Sequence, residues 1–247
     1  MAGFAFISMP TIDTEFLLLG LTWYIAFLLS TTCHEAGHAW AAKLGGDLTA
    51  FHGGQVSLDP VPHIRREPFG MILFPILTYV AGGWMMGWAS APYDPLWAEK
   101  HPRRAAWMSL AGPAANFVLM ILAALLIRLG LTIGAFKLPD SANFTHIAEA
   151  STSGIATGAA TFFSVMFSLN LLLGVFNLLP LPPLDGFGAV GLLLPEKAAE
   201  RFQQFGHRLR GFSMIGLLVA WQVFDPIFDP IFTWSLRILY PGSGYGS

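Results

Sequence analysis

The chain has 247 residues, 54% of them hydrophobic and 11% charged, and a mean hydropathy of +0.58. Soluble domains carry about 25% charged residues, so this composition indicates an integral membrane protein. The formal net charge of −2 gives no indication of a nucleic-acid partner. The single cysteine, Cys33, excludes disulfide bonds within the chain.

A short segment, residues 1–15, precedes the first long apolar stretch. It lacks the basic region of a cleaved signal peptide and carries Asp13 and Glu15 instead. We predict that this segment lies at the membrane surface.

Five largely apolar stretches are long enough to be embedded in a bilayer. They cover residues 16–42, 68–93, 105–127, 150–184 and 211–240. Proline and glycine break the second stretch, and Asp225-Pro226 and Asp229-Pro230 interrupt the last. Between the first two stretches, the alternation of residue types around 55–58 predicts a short β-hairpin at the membrane edge.

The first apolar stretch carries the motif His34-Glu35-Ala36-Gly37-His38. On a helix, His34 and His38 share a face and can bind one metal ion, while Glu35 lies close enough to take a proton from a water on that ion. The alternative is a chance match with two hydrogen-bonded core histidines. Residues 16–32 carry no charge, and ionisable groups at such a depth are costly and usually functional. The sequence therefore favours a metal site.

A catalytic zinc ion usually has three protein ligands and one open position. The strongest third candidate is Asp185, at the end of a stretch, 177–186, in which three prolines and a glycine hold irregular backbone at the membrane. The alternative is that Asp185 caps the amphipathic segment 188–208. Weaker candidates are Asp225 and Asp229, each before a proline, and His52 and His63, in the loop after the first stretch.

The third ligand constrains the topology. His38 and Asp185 can meet only if the first and fourth stretches end at the same side of the bilayer, which requires 68–93 to be re-entrant or a hairpin. One side then carries Lys43, Arg65, Arg66, Lys100, Arg103, Arg104, Lys197, Arg201, Arg208 and Arg210, and the other carries Arg128, Lys137 and Arg237. The positive-inside rule favours this arrangement. We therefore predict an all-α integral membrane protein with about four transmembrane helices, a re-entrant element, both termini outside and the site toward the cytoplasm.

Three motifs, at 34–38, 111–116 and 177–186, together resemble the site-2 protease family of intramembrane zinc metalloproteases, peptidase family M50. The resemblance implies one zinc ion per chain, held by His34, His38 and Asp185, with Glu35 as general base and acid. One departure is Phe187, which follows Asp185-Gly186 where the family often has a second glycine.

Three further residues are candidate substrate contacts. The resemblance implies that Asn177 holds the substrate strand or stabilises the oxyanion, and it matches Asn116 to a recurrent position whose role is less defined. Both asparagines could instead form hydrogen bonds between packed spans. Gln55 belongs to the predicted hairpin, with which an unwound substrate could pair by strand addition.

The implied function is hydrolysis of peptide bonds within or near transmembrane segments, as in regulated intramembrane proteolysis. The implied partners are a transmembrane protein substrate and membrane lipid, the implied compartment is a prokaryotic plasma membrane, and the sequence is compatible with an oligomer. We divide the chain into the surface segment 1–15, a metalloprotease core at 16–210, and a transmembrane helix and tail at 211–247. One alternative is an inactive zinc-binding scaffold, which has no need of Glu35. The other is a metal transporter, for which the expected internal repeat is missing.

Overall fold

The computed structural model describes residues 12–242, and most of this part of the chain is helical. Four helices are long and apolar enough to cross a membrane: α1 (Thr14–Gly45), α6 (Pro102–Thr132), α7 (Ile155–Asn177) and α10 (Ser213–Leu239). The shorter helices are α2 (Thr49–His52), α3 (Pro60–Arg66), α4 (Phe74–Gly82), α5 (Pro95–Lys100), α8 (Asp185–Ala189) and α9 (Glu196–Leu209). The prediction of an all-α membrane fold with about four spans is confirmed. Most of the predicted surface segment, residues 1–11, lies outside the described residues.

Helix α1 has clear signals at both ends. The carboxylate of Asp13 accepts a hydrogen bond from the Phe16 N–H at 2.8 Å, which caps the first turn. Gly46 ends the helix with φ 96°, a left-handed conformation that glycine adopts without steric cost. With 32 residues the helix is about 48 Å long. It is therefore long enough to cross the hydrocarbon core, about 30 Å thick, with turns to spare at its ends.

Helices α1, α6 and α7 form the centre of the bundle, since α6 packs along both of the others and α1 also contacts α7. Small residues allow the close approach that van der Waals packing in a membrane requires. A β-carbon at Gly37 would lie 2.8 Å from the carbonyl oxygen of Ala111, and one at Gly174 would lie 2.8 Å from the ring of Phe117. The three helices are thus held at a fixed spacing around their shared interior.

Helix α10 packs against the outside of this core. Phe224 and Phe228 are among its buried residues, and the ring of Phe224 lies 5.1 Å from the ring of Phe176 of α7. The Asp-Pro pairs interrupt the apolar stretch without ending the predicted transmembrane helix, which continues through Pro226 and Pro230. Local adjustments within a transmembrane helix give a new hydrogen-bond partner to the backbone groups that lose theirs at a proline.

The predicted re-entrant segment forms a short, folded-back element. A π-helical turn, Phe69–Leu73, runs directly into α4, and Gly83 ends the helix with φ 75°. The stretch Phe69–Gly82 rises about 21 Å, which is too short to cross a bilayer core of about 30 Å. The chain then returns, and the Trp88 N–H donates to the Gly70 carbonyl at 3.2 Å. The end of the segment therefore lies beside its beginning.

The described residues contain one two-stranded antiparallel sheet, β1 (Phe136–Lys137) with β2 (Glu149–Ala150), in the connection between α6 and α7. The hairpin predicted around 55–58 is wrong. The Gln55 N–H bonds back to the Ala50 carbonyl at 2.9 Å, and Asp59 caps α3 by accepting from the Val61 N–H. The cap and Pro60 at the first helical turn are start signals for a helix, and they outweigh the short alternating pattern.

Candidate metal centre

Three side chains from two distant parts of the chain converge inside the bundle. Nε2 of His34 lies 3.0 Å from Oδ2 of Asp185, Nε2 of His38 lies 3.3 Å from the same oxygen, and the two Nε2 atoms are 3.0 Å apart. Ligand atoms of a tetrahedral zinc site, each about 2.0–2.1 Å from the ion, are separated by about 3.3 Å. The triangle therefore has the size that one zinc ion requires, and these three residues could hold a metal.

The far side of each imidazole determines where its proton lies. Nδ1 of His38 is 2.7 Å from the carbonyl oxygen of Met108, and Nδ1 of His34 is 2.6 Å from Oδ1 of Asn116. Both oxygens are acceptors, so each Nδ1 carries the proton and donates it. In the neutral imidazole, Nε2 is then left with the lone pair that a metal ligand needs, as in metal sites with a hydrogen-bonded second partner on the histidine.

The three atoms that face one another are all electron-pair donors, which favours a bound cation between them. When both imidazoles are neutral with their protons on Nδ1, two Nε2 lone pairs and a carboxylate oxygen face one another with no hydrogen between them. Oδ2 of Asp185 is buried and accepts no hydrogen bond. Its short distances to the two histidines are therefore contacts between acceptors, which a bound zinc ion would convert into three coordination bonds. The residues present fit the metal that the sequence implies.

Gly112 of α6 completes the cradle around the two histidines. A β-carbon at this position would contact Nε2 of His38 and would lie 2.6 Å from Nε2 of His34. No other residue type leaves this space open. Glu35 is buried, with 5% of its surface exposed, one position along α1 from the first histidine.

Asp185 reaches the site from the loop after α7. The Leu181 N–H donates to the Leu179 carbonyl, and the Leu184 N–H donates to the Leu181 carbonyl, so the loop is tightly turned. A β-carbon at Gly186 would contact the Leu178 carbonyl, which explains the glycine. Asp185 is the first residue of α8, but its carboxylate faces the histidines. Asp185 is thus grouped with the histidines, and the residue at the cap position of α8 is Leu184.

The three candidate substrate contacts occupy different environments. Asn177, at the end of α7, is half-buried and donates to the Leu173 carbonyl at 3.0 Å. Asn116 is fully buried behind His34. Gln55 is 1% exposed, and its Nε2 donates to the Ser90 carbonyl at 3.2 Å. Of the three, Asn177 retains partial access to the surface.

The other candidate ligands lie apart from the triad. Asp225 and Asp229 are exposed on α10, and His52 is exposed at the end of α2. His63 is buried with Nε2 3.1 Å from the Ser57 carbonyl. None of the four joins His34, His38 and Asp185 in a group that could hold a metal within the described residues.

A groove of about 530 Å³ runs along the seam between α1 and α6. Its lining is mostly apolar and consists of Cys33, Ala36, Gly37, Trp40, Val56, Ser57, Leu58, Ala115, Val118 and Leu119. Cys33 and Gly37 immediately precede the two histidines in α1, and 56–58 belong to the loop between α2 and α3. The groove therefore borders the segment of α1 that carries the metal ligands.

Sequence reasoning found Asn116 but missed two other partners around the ligands. Asn170 of α7 is fully buried and donates through Nδ2 to Oγ of Ser30. Its polar side chain within an apolar span was a usable signal, because such groups must find partners in a membrane. The contact between His38 and the Met108 carbonyl left no signal, since every residue has a carbonyl.

Comparisons with known proteins identify the family of this chain. The sequence model of Peptidase family M50 matches residues 22–219. "Putative zinc metalloprotease YwhC" of Bacillus subtilis (strain 168) is 34% identical over 181 residues, covering 73% of this chain and 72% of that protein. "Putative zinc metalloprotease Rip2" of Mycolicibacterium smegmatis is 35% identical over 167 residues, covering 66% of this chain and 54% of that protein.

The protein of the same name from Mycobacterium tuberculosis (strain H37Rv) is 32% identical over 166 residues. This chain spans 54%, about half, of the length of each Rip2 protein. No solved structure matches the chain. Because the family model covers most of the chain, and the four long apolar helices include the one that carries its histidine motif, this integral membrane protein belongs to peptidase family M50, the site-2 protease family of zinc metalloproteases.

Proposed function

We propose that this protein is an intramembrane zinc protease, which hydrolyses peptide bonds within or near transmembrane segments of other membrane proteins. The observation that carries the proposal is the convergence of two Nε2 atoms and a buried carboxylate oxygen, with the buried Glu35 next to His34 along α1. A site that only binds metal has no need of this second, non-ligating carboxylate. The relatives support the chemistry through their names, which describe zinc metalloproteases.

In this proposal His34, His38 and Asp185 hold one zinc ion per chain. The ion, when bound, supplies a Lewis acid that polarises a carbonyl and brings the pKa of water to about 7. Glu35 accepts a proton from the attacking water and delivers it to the leaving amine. Gly112 keeps the space beside the two imidazoles free.

The proposed substrate is a transmembrane segment that unwinds near the site. The carbonyl groups of an intact helix are hydrogen-bonded and unavailable for attack, so helix-breaking residues in the substrate should help. The apolar groove between α1 and α6 suits apolar side chains of such a segment. Asn177, half-buried at the end of α7, remains the proposed contact to the substrate backbone. Asn116 is fully buried, so we propose that it positions His34 instead.

We further propose that the site lies toward the cytoplasmic side of a prokaryotic plasma membrane. The ligands come from the C-terminal half of α1 and the loop after α7, and their partner Met108 lies near the start of α6. These ends lie on the side to which the positive-inside rule directs most of the lysines and arginines. The relatives named above are bacterial proteins, which supports the compartment.

The test compares wild type, Glu35→Gln and Asp185→Asn purified in detergent. Zinc content and cleavage of a transmembrane peptide with a Gly-Pro break are measured on the same samples. We expect one zinc ion per chain and cleavage for wild type, one zinc ion without cleavage for Glu35→Gln, and loss of zinc for Asp185→Asn. Cleavage by Glu35→Gln at the wild-type rate would contradict the mechanism. Zinc flux into proteoliposomes without any cleavage would instead favour a transporter.

A further inference from the structure

A continuous chain of hydrogen bonds leads away from His34 into the centre of the bundle. Nδ1 of His34 lies 2.6 Å from Oδ1 of Asn116, and Nδ2 of Asn116 donates to Oδ1 of Asn170 at 2.8 Å. Nδ2 of Asn170 donates in turn to the Met166 carbonyl at 2.8 Å and to Oγ of Ser30 at 2.9 Å. The two asparagines and Ser30 are fully buried. This series of hydrogen bonds therefore joins α1, α6 and α7 without access to water.

These hydrogen bonds all run in one direction, and the end farthest from His34, at the Met166 carbonyl, sets that direction. The Met166 carbonyl can only accept a hydrogen bond, so the amide nitrogen of Asn170 must face it and the amide oxygen must face Asn116. The amide nitrogen of Asn116 must then face Asn170, which leaves its oxygen for His34. An oxygen at that position requires the proton of His34 to lie on Nδ1, and Nε2 is left with the lone pair that binds a metal.

A second acceptor for the amide nitrogen of Asn116 holds the amide in the same orientation, but more weakly. Its Nδ2 also lies 3.4 Å from the Ser30 carbonyl, which is long for a hydrogen bond. If Asn170 were apolar, this contact alone would oppose rotation of the Asn116 amide. A rotated amide would donate to His34, move its proton to Nε2 and turn a metal ligand into a hydrogen-bond donor. His38 needs no such relay, because a backbone carbonyl accepts its proton directly.

We propose that Asn170 is a positioning residue that keeps His34 competent to bind metal, by orienting Asn116 and through it the imidazole tautomer. The proposal rests on the metal site of the proposed function. Asn170 acts through two successive hydrogen bonds to the ligand's imidazole ring and touches neither metal nor substrate.

The first test measures zinc affinity by competition with a chelator for wild type, Asn170→Leu and Ser164→Ala. Ser164 is the matched control, because its hydroxyl is a buried hydrogen-bond centre on the same helix, bonded to the backbone of 147, 148 and 160. We expect Asn170→Leu to weaken zinc binding by about tenfold, the lower end for lost second partners of histidine ligands. Ser164→Ala should lower thermal stability and leave zinc affinity unchanged. Wild-type affinity in Asn170→Leu, or an equal loss in both variants, would overturn the proposal.

Asn170→Asp is the conservative variant. Whether or not it is protonated, its carboxyl group presents an oxygen that accepts from Nδ2 of Asn116, so the orientation of the Asn116 amide is kept. This variant should restore zinc affinity relative to Asn170→Leu. If it binds zinc as weakly as Asn170→Leu does, Asn170 does not act by fixing the direction of these hydrogen bonds, and the proposal is wrong.

The second test reads the tautomer in metal-free protein, by nitrogen NMR of labelled histidine with the His34 signal identified from a His34→Gln sample. Wild type should carry the proton on Nδ1, and Asn170→Leu should show a population with the proton on Nε2. The same tautomer in both would contradict the inference. This readout needs no zinc. A wild type that binds no zinc would thus refute the proposed function, while the tautomer would still decide the role of Asn170.

Discussion

Gly112 of α6 lies directly against His38 of α1, so that a β-carbon on residue 112 would contact the Nε2 atom of that histidine. The same β-carbon would lie 2.6 Å from Nε2 of His34. The space that a metal needs between these ligands is therefore open because residue 112 of the neighbouring helix is a glycine, which has only a hydrogen atom in place of a side chain. Close helix packing and the metal site depend on the same glycine.

Gly112→Ala should abolish zinc binding while leaving the protein folded, because the added methyl group would lie against Nε2 of both histidines, where they would have to bind the ion. The measurement is zinc content of the purified protein together with its thermal unfolding. Gly158→Ala is the control, since that glycine lies in helix α7 with open space around it. The control should keep its zinc and gain up to ~1 kcal/mol of stability from helix propensity. Full zinc content in Gly112→Ala would show that the ion binds elsewhere.

The two asparagines of the sequence motifs should separate into two roles. Asn116→Leu removes the acceptor of the His34 proton, so zinc affinity should fall by about 10–100-fold, as for other lost second partners of histidine ligands. Asn177→Leu should keep wild-type zinc content and lose cleavage. Chelator competition and peptide cleavage on the same samples check both. A loss of zinc in Asn177→Leu, or wild-type affinity in Asn116→Leu, would contradict these roles.

Asp47 should contribute stability that depends on pH. It is 4% exposed, and its carboxylate accepts from the N–H and hydroxyl of Thr49 and from the N–H of Asp94. Burial alone would raise the pKa of Asp47, but these hydrogen bonds outweigh it and hold the pKa below the ordinary 3.8. Bonds to charged groups contribute about 1.5–3 kcal/mol, so Asp47→Asn should lower the unfolding temperature measurably.

The sign of this pH dependence follows from the lowered pKa. The carboxylate is favoured in the folded state, so its contribution is complete above pH 3.8 and is lost as the pH falls through the lower folded value. The difference in unfolding temperature between wild type and Asp47→Asn should therefore be constant from about pH 7 to about pH 5 and shrink below pH 3.8. A difference that grows with acidification would refute this account.

The topology can be tested by cysteine labelling in intact cells. In a Cys33→Ser background, the variant Ser153→Cys, at an exposed position between β2 and α7, should react with a membrane-impermeant maleimide. The variant Glu200→Cys, at an exposed position on α9, should react only after the cells are opened. The reverse pattern would place the metal site on the outer side of the membrane.

Local sequence determined the parts of the site that lie within one helix. His34 and His38 share a face of α1 because four residues advance a helix by about one turn, and the apolar run around them indicates a span. Asp13 and Gly46 mark the ends of α1 by capping and by a left-handed turn. These features follow from neighbouring residues alone. They therefore could be predicted without knowledge of the fold.

Only the tertiary structure decided what lies between the helices. Asp185 was the strongest of several candidate carboxylates, and it is the one, rather than Asp225 or Asp229, that lies at the histidines, on a helix that packs against α6. The oxygen of Asn116 faces His34 because Asn170 and a carbonyl of α7 fix its direction. Composition and spacing do not specify such contacts, because they depend on which helix faces meet.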